Sequence, residues 1–156
     1  NKKIIKLYLA IISPPPSKNE KYITTNIEKS SFSNVRKMTT SAIKGKFAKT
    51  YMKILVKNSK YALALLYPIT GRTHQLRVHM NYIGCSIIGD KKYKLNENFR
   101  DNENFLKLHS YVIKFPNEDF IKAPLPEHFI NFMKENRLDI DLEKIEKDFE
   151  KEFKYE

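Results

Sequence analysis

A strand that turns abruptly into a helix between positions 61 and 84 is the feature that most limits how this chain can fold. Residues 61–69 are apolar, as in a buried strand, until Pro68 and Gly71 interrupt the pattern. Apolar side chains then recur three or four positions apart, as on one face of a helix, at Leu76, Met80 and Ile83. Gly84 suits the left-handed position that follows a helix. The segment therefore predicts a strand, a tight turn and a short amphipathic helix in succession.

The start of this predicted helix is strongly basic. Thr73 is a suitable N-cap, and Arg72, His74 and Arg77 lie around it. Free backbone N–H groups and the positive end of the helix dipole favour an anion at such a position. Arg77 lies near the apolar face that carries Leu76, and a partly buried guanidinium needs a carboxylate or phosphate partner. The segment is a candidate anion-binding site, and the simpler alternative is a solvated basic helix start.

Three further segments have the composition of strands, namely residues 4–12, 47–56 and 106–115. The run Pro14-Pro15-Pro16 ends the first of them, because proline cannot donate to a sheet ladder. Residues 58–60 are few enough to join the second of them to the strand at 61–69 as a hairpin. We therefore expect an α+β fold, with a mixed, largely antiparallel sheet and flanking helices.

The segment 17–46 is polar and basic with little periodicity, which predicts a long excursion that contains short strands or is a mobile loop. Between Lys18 and Lys49, lysines alternate with the aromatic residues Tyr22, Phe32 and Phe47. This pattern is compatible with an RNA-binding face and equally with a solvated excursion.

The C-terminal segment 131–156 is amphipathic. Its apolar side chains recur at helical spacing, at Leu138, Leu142, Ile145, Phe149 and Phe153. We predict one helix here, packed on a domain formed by residues 1–130.

Charge gives the first indication of a partner. The net charge is +11, but residues 1–100 carry 20 Lys and Arg against 4 Asp and Glu, whereas residues 101–156 carry 9 against 14. A basic body favours a polyanion such as RNA, although a merely lysine-rich soluble protein has the same composition. No apolar run reaches the length of about 18 residues that a membrane span needs, so no membrane partner is expected.

The cysteine and the histidines give little support for a metal site or a hydrolase. The single cysteine, Cys85, cannot form an internal disulfide, which favours a reducing, intracellular compartment that the sequence does not specify further. His74 and His79 are five positions apart rather than four, so a helical metal pair is not expected. A hydrolase or metal enzyme that uses these residues is the weakest of the functions considered.

The basic motif is also one that we recognise. Residues 70–80, TGRTHQLRVHM, followed by Gly84, IIGD at 87–90 and Tyr93, closely resemble the last motif of RluA-type pseudouridine synthases. Weaker similarities flank it, in KLYLA at 6–10, LKLH at 106–109 and APLP at 123–126. The resemblance spans about residues 2–130 and implies the fold and the RNA-modifying activity of that family.

The resemblance implies roles for individual residues. Tyr8 matches the tyrosine that stacks on the target base, and Arg77 matches the arginine that pairs with the catalytic aspartate. Leu76 matches the apolar residue that lines the pocket. Four residues would shape the site and its approach, namely Arg72, Thr73, His74 and Gln75. The substrate implied is uridine in structured RNA, either rRNA or tRNA, and neither a metal nor another cofactor is implied.

One departure from the family pattern concerns the nucleophile. In the family it is the aspartate of a His-Arg-Leu-Asp motif that precedes the tyrosine strand, and this sequence has no such motif. We therefore expect a C-terminal part of the catalytic domain that is inactive alone, carries Arg77 without its carboxylate partner, and self-associates through exposed sheet edges. The alternative function is a non-catalytic, basic RNA-binding module that retains the synthase scaffold.

Overall fold

The computed structural model describes residues 3–30, 37–41, 44–95 and 101–153. Its strands form one antiparallel sheet in the order β3-β2-β4-β5-β1-β7-β8, and β6 pairs with the end of β1. The elements in chain order are β1 (Ile5–Ser13), β2 (Glu20–Lys29), β3 (Met38–Ser41), β4 (Lys46–Lys57), β5 (Ala62–Pro68), α1 (Gln75–Tyr82), β6 (Ser86–Ile87), β7 (Leu108–Lys114), β8 (Phe120–Lys122), α2 (Glu127–Glu135) and α3 (Leu142–Phe153). The predicted α+β class with a largely antiparallel sheet is confirmed. No helix in the described part of the chain is long and apolar enough to cross a membrane.

Strand β1 lies near the centre of the sheet, between β5 and β7, and both of its faces are covered. Side chains that alternate along a strand point to opposite faces. Leu7, Leu9 and Ile11 belong to the core that α2 and α3 complete, whereas Ala10 and Ile12 belong to the core under α1. We call the side that carries α1 the first face and the side that carries α2 and α3 the second face.

The strand predictions hold within one or two residues, since β1, β4, β5 and β7 coincide with the predicted segments. The hairpin between β4 and β5 is also confirmed, and the Asn58 side chain stabilises its turn by accepting hydrogen bonds from the backbone of Lys60 and Tyr61. Cys85 is a buried free cysteine, as expected for a structural residue, and burial raises the pKa of its thiol to about 11.

The predicted excursion at 17–46 contains strands rather than a loop in the part that the structure describes. β2 pairs with β4 over eight residues and with β3 over four, so this segment widens the sheet by two strands. Phe32, one of the aromatic residues singled out in the sequence, lies outside the described residues.

Helix α1 ends as predicted but does not begin as predicted. Gly84 follows it with φ 86°, and the backbone N–H of Cys85 closes the turn on the carbonyl of Met80. At the other end, the N-cap position is occupied by His74 rather than Thr73, and no side chain caps the helix there. The prediction of a Thr73 N-cap is wrong because a left-handed residue, His74 with φ 54°, separates the turn from the helix.

The single C-terminal helix predicted over 131–156 is instead two helices, α2 and α3. Arg137 adopts a left-handed conformation with φ 56° and the N–H of Leu138 donates to the carbonyl of Met133, which ends α2. Leu138 is fully buried in the core of the second face. The helical spacing predicted from Leu138 onward therefore reflects a buried loop residue followed by a helix.

A buried polar network joins α1 to β4 and β2. His79 is fully buried, with its Nδ1 2.7 Å from the hydroxyl of Thr50 and its Nε2 2.9 Å from the hydroxyl of Thr25. A neutral ring has one donor and one acceptor nitrogen, so both contacts can be satisfied. Burial lowers the pKa of His79 to about 4, because a charged ring would lose its hydration.

This lowered pKa predicts a loss of stability in acid. The unfolded chain binds the proton near pH 6.5 and the folded chain only near pH 4, so the free energy of unfolding should fall as the pH drops through that window. The contribution of His79 to this fall is up to about 3 kcal/mol. We expect urea unfolding at a series of pH values to show it.

The matched variants for this experiment are His79→Gln and His109→Gln. The first removes the buried titrating ring, and the second removes a partly exposed one on β7. We expect a shallower dependence of stability on pH only in His79→Gln. An unchanged slope in that variant would contradict the assignment.

Candidate active site

An open cleft of about 530 Å³ lies on the first face, where β1 begins, β5 ends and α1 starts. It is lined by residues from these three elements and the loop that joins β5 to α1: Lys3, Ile4, Lys6, Tyr8, Pro68, Ile69, Thr70, Gly71, Arg72, His74, Gln75, Leu76, Arg77 and Leu108. Six of the seven residues that the sequence predicted for the site are among them. The exception is Thr73, which lines a neighbouring pocket together with Gly71 and Arg72.

Tyr8 reaches the cleft because of its place in β1. It is half-buried and lies on the first face, packed against the core under α1. Its partner in β5 is Leu66, and on the other side the pairing with β7 shifts from Val112 to Ser110 at this point. The shift leaves Tyr111 as the additional residue of a β-bulge, a feature that locally bends a strand and changes its twist. An aromatic ring with apolar neighbours and one open side is therefore presented to the cleft.

The loop that leads into α1 is fixed by Gln75. Its side-chain oxygen accepts hydrogen bonds from the Thr70 hydroxyl and the Arg72 backbone, and its nitrogen donates to the Lys49 carbonyl and the Thr50 hydroxyl. Gln75 is only 3% exposed, so its role is to hold the loop against β4 rather than to contact solvent. These four hydrogen bonds fix the loop that lines the cleft, and a part for Gln75 in substrate binding stays a prediction.

Arg77 forms a bidentate ion pair with Asp90, which follows the short strand β6. Its Nε donates to Oδ2 and its Nη2 to Oδ1, each at 2.8 Å. Arg77 therefore has a carboxylate partner within this chain, whereas the expected absence of the family's nucleophilic aspartate stays a prediction. Within the described residues, its third nitrogen, Nη1, has no hydrogen-bond partner, and the arginine side chain retains 20% exposure on the cleft.

Asp90 has no exposed side-chain surface. Burial alone would raise the pKa of its carboxyl, but hydrogen bonds from Arg77 and from the backbone N–H groups of Tyr93 and Lys92 outweigh burial, and the pKa lies below its ordinary value. The preceding turn depends on Gly89, which has φ 81° and lies so close to the Phe105 carbonyl that a Cβ would overlap it. The carboxylate is thus held ionised and in a fixed position beside the arginine.

Tyr93 completes the surroundings of the arginine. The guanidinium carbon of Arg77 lies 4.9 Å from the centre of the Tyr93 ring. The Tyr93 hydroxyl accepts a hydrogen bond from the backbone of Met38 in β3 and lies 2.7 Å from Nδ1 of His74. Tyr93 therefore connects the arginine, the left-handed turn at His74 and the outer strands of the sheet.

Asp90, Thr50 and Tyr93 are the site residues that sequence reasoning did not assign. Asp90 and Tyr93 belong to the motif that carried the family resemblance, but the sequence did not show that they contact Arg77. Thr50 gave no signal, because a threonine inside a strand is ordinary. The described residues contain no group of three His, Cys, Asp or Glu side chains that could hold a metal ion.

The tripeptide Arg137-Leu138-Asp139 has the last three letters of the family's nucleophile motif, but its location differs. It lies between α2 and α3, and Leu138 packs in the core of the second face. Tyr8 and Arg77 line the cleft on the first face. Because the sheet separates the two, Asp139 does not belong to this site.

Comparison with known proteins assigns the chain to the family that the residues lining the cleft resemble. The sequence model of the family described as RNA pseudouridylate synthase matches residues 1–82. The chain is 35% identical over 134 residues to ribosomal large subunit pseudouridine synthase C of Rickettsia conorii, covering 82% of this chain and 44% of that protein. It is 37% identical over 142 residues to the protein of the same name from Buchnera aphidicola, covering 85% and 45%.

Solved structures give the same result for the fold. Human RNA Pseudouridylate Synthase Domain Containing 4 superposes with a TM-score of 0.70 at 25% identity, covering 86% of this chain and 62% of that one. Human RNA Pseudouridylate Synthase Domain Containing 1 gives 0.69 at 25% identity, covering 81% and 56%. The chain spans about half the length of the curated relatives it matches. With the family model matching more than half of its residues, the chain belongs to the RNA pseudouridylate synthase family.

Proposed function

We propose that this chain forms part of the catalytic domain of an RNA pseudouridine synthase, with the target uridine bound in the cleft on the first face. The observation that carries the proposal is the meeting of Tyr8, Leu76 and Arg77 in one cleft, although they come from a strand and a helix far apart in sequence. These are the residues that the family resemblance assigns to the base, the pocket wall and the catalytic ion pair. The relatives are named for the large ribosomal subunit, so its RNA is the first substrate to test.

The proposed reaction exchanges two bonds of one nucleotide. The uridine is flipped out of the RNA into the cleft, as in other enzymes that act on a base. The aspartate of the family's His-Arg-Leu-Asp motif, a motif that this sequence lacks, attacks the ribose carbon C1′ through a carboxylate oxygen, and the bond between N1 and C1′ breaks. The uracil then rotates, C5 bonds to C1′ as the aspartate oxygen leaves that carbon, the proton on C5 is lost, and N1 gains a proton. No oxidant, metal or cofactor is needed, since atoms and electrons balance within the nucleotide and the solvent.

Tyr8 and Leu76 would hold the detached uracil. The ring of Tyr8 offers a face on which the planar base stacks while it turns. Leu76 is 7% exposed and lines the same cleft, so it supplies an apolar wall that keeps water from the base. The two residues bind the base without directing a hydrogen bond to one of its edges, which suits a ring that must rotate.

Arg77 would keep the nucleophilic carboxylate ionised and oriented. Asp90 occupies Nε and Nη2, so Nη1 is the nitrogen that remains for a second carboxylate in the cleft. An opposite charge a few Å away lowers a carboxyl pKa, which favours the attacking form. In this proposal Asp90 is a positioning residue, because it acts on the reaction through the arginine.

Basic residues would bind the RNA backbone around the cleft. Lys3, Lys6 and Arg72 line it, and none of them is paired with a carboxylate among the described residues. Binding through such contacts releases counterions, so the affinity for RNA should fall steeply as salt is added.

A second candidate function is a non-catalytic RNA-binding module on the same scaffold. The observation in its favour is that the sequence lacks the His-Arg-Leu-Asp motif, while the basic cleft is intact. We further propose that the chain self-associates through the exposed edge strands β3 and β8. We also propose an intracellular location.

Substitution of Arg77 tests the catalytic assignment. In the full-length protein we expect Arg77→Ala to abolish pseudouridine formation while RNA binding largely survives, because one cation among many basic residues is lost. Turnover would be measured by tritium release from C5-labelled uridine in large-subunit rRNA, and binding by filter retention. Arg137→Asn, at a left-handed position on the second face, is the matched control. Wild-type turnover in Arg77→Ala would sink the assignment.

Substitution of Asp90 tests the positioning role. Asp90→Asn keeps the shape and can still accept from the backbone of Tyr93, but it removes the charge that orients the guanidinium. We expect kcat to fall by about tenfold or more with little change in KM for RNA, in line with the loss of about 1.4 kcal/mol or more of transition-state stabilisation. If Asp90→Asn loses both its affinity for RNA and its thermal stability, Asp90 has only a structural role.

The chain by itself provides a third test. We expect no pseudouridine after incubation of the 156-residue chain with rRNA transcripts, although the RNA is bound, because no carboxylate is among the described residues that line the cleft. Mass spectrometry after derivatisation of pseudouridine would detect product. Product formation by this chain would place the nucleophile among its own residues.

A further inference from the structure

The outer strands of the sheet leave aromatic side chains exposed on the second face. Tyr22 in β2 is 59% exposed and Phe47 at the start of β4 is 52% exposed. On the same face, Leu9 of β1 and Leu65 of β5 are almost completely buried in the core that α2 and α3 complete. Exposed aromatic rings on one side of an otherwise covered sheet often mark a binding surface.

The strand register places these residues on one continuous surface. Tyr22 pairs with Tyr51, Asn26 pairs with Phe47, and residues directly opposite in antiparallel strands point to the same face. The alternate residues of β4, among them Thr50, point to the first face and contact α1. Phe47 and Tyr51 are four residues apart, which corresponds to about 13 Å along the strand.

Lysine side chains lie among these rings. The Lys49 ammonium is 4.7 Å from the centre of the Tyr22 ring, and the rings of Tyr22 and Tyr51 are 5.1 Å apart. Lys53 follows on the same face of β4 and is exposed. The acidic Glu20 lies opposite Lys53 on this face and accepts a hydrogen bond from the Tyr51 hydroxyl. The positive charge beside the rings of Tyr22 and Phe47 is therefore that of Lys49. A surface with flat rings and positive charge is complementary to unpaired nucleotides, whose bases stack and whose phosphates are anionic.

The surface adjoins the proposed active site where β4 begins and β5 ends. The side chain of Arg72, which lines the cleft, donates from Nε to the carbonyl of Phe47 at 2.8 Å. The backbone of Lys49 donates to the hydroxyl of Thr70, another cleft residue. The start of β4, which carries Phe47 and Lys49 on the second face, is therefore in direct contact with the loop that lines the cleft.

We propose that Tyr22, Phe47 and Lys49 form a platform that binds unpaired nucleotides of the RNA outside the cleft. The platform lies on the face opposite Tyr8, so it is separate from the base pocket and makes no contact with the target uridine. The proposal goes beyond the proposed catalytic function, because binding at the platform requires neither Arg77 nor the nucleophile.

Affinity measurements with the 156-residue chain test the platform. We expect the double variant Tyr22→Ala, Phe47→Ala to bind a single-stranded oligoribonucleotide at least tenfold more weakly in fluorescence anisotropy, since each stacked base contributes several-fold or more. Phe105→Ala is the matched control, because Phe105 is 60% exposed but lies beside His128 at the start of α2. Circular dichroism would confirm that the variants fold, which their exposure favours.

The charge of Lys49 is tested separately, by the salt dependence of RNA affinity. Lys49→Gln should reduce the slope of log affinity against log salt by about 0.7, the value for one phosphate contact on a single strand. Lys134→Gln, on an exposed position of α2, should leave the slope unchanged. The wild type and the double variant should bind a fully paired RNA duplex with similar affinity, because the bases of a duplex are not available for stacking.

Tryptophan substitution detects stacking directly, since the chain has no tryptophan of its own. Phe47→Trp should retain wild-type affinity and lose fluorescence when the single strand is added, whereas Phe105→Trp should not respond. Equal RNA affinity in the wild type and the double variant, or equal losses in the double variant and Phe105→Ala, would overturn the proposal. So would a change in oligomeric state without a change in RNA affinity, which would indicate a protein interface.

These outcomes are separable from failure of the catalytic assignment. Arg77→Ala tests turnover and should leave the binding of single strands by the platform intact. Platform variants that bind RNA normally would refute the platform and leave the synthase assignment standing. Active Arg77→Ala with weakened platform variants would refute the assignment and support the platform.

Discussion

The docking of α1 onto β4 depends on one buried hydroxyl, that of Thr50. It accepts a hydrogen bond from Gln75 at the start of the helix and contacts the ring of His79 one turn later. Thr50 and His79 are fully buried, and unsatisfied buried polar groups are costly, so only one rotation and register of the helix satisfies all of these groups. Arg77 lies between Gln75 and His79 in sequence, and its position on the cleft follows from this register.

A second constraint acts on the arginine itself. Asp90 accepts hydrogen bonds from two guanidinium nitrogens, and the Tyr93 ring centre lies 4.9 Å from the guanidinium carbon, so the side chain has little conformational freedom. A preorganised cation stabilises a neighbouring carboxylate more effectively than a flexible one, because no ordering cost is incurred during the reaction. The sheet also separates the two proposed sites, with the cleft proposed to hold the base on the first face and the proposed RNA platform on the second.

Much of the fold was predictable because the local signals agreed with one another. The strands β1, β4, β5 and β7 are continuous apolar or alternating runs bounded by proline, glycine or asparagine, and Gly84 marks the end of α1. Predictions failed where a residue other than glycine adopted a left-handed conformation. His74 displaced the expected Thr73 cap, and Arg137 divided the expected C-terminal helix into two. His74 contacts the hydroxyl of Tyr93, and Arg137 precedes the fully buried Leu138, so both conformations go with contacts that residue type does not predict.

The sequence by itself determined the family, the strand-to-helix turn and six of the residues that line the cleft, because the motif at 70–80 joins backbone-directing and charged residues at fixed spacing and Tyr8 lies in a recognisable strand. Only the tertiary structure decided which groups meet. The partner of Arg77 is Asp90, 13 positions further along, and it arrives there because Gly89 allows a turn that no side chain would permit. The alternation of exposed rings and lysines in β2 and β4 became one surface only when their register was known. Spacing along a chain reports periodicity, whereas distances between elements depend on the packing of the whole sheet.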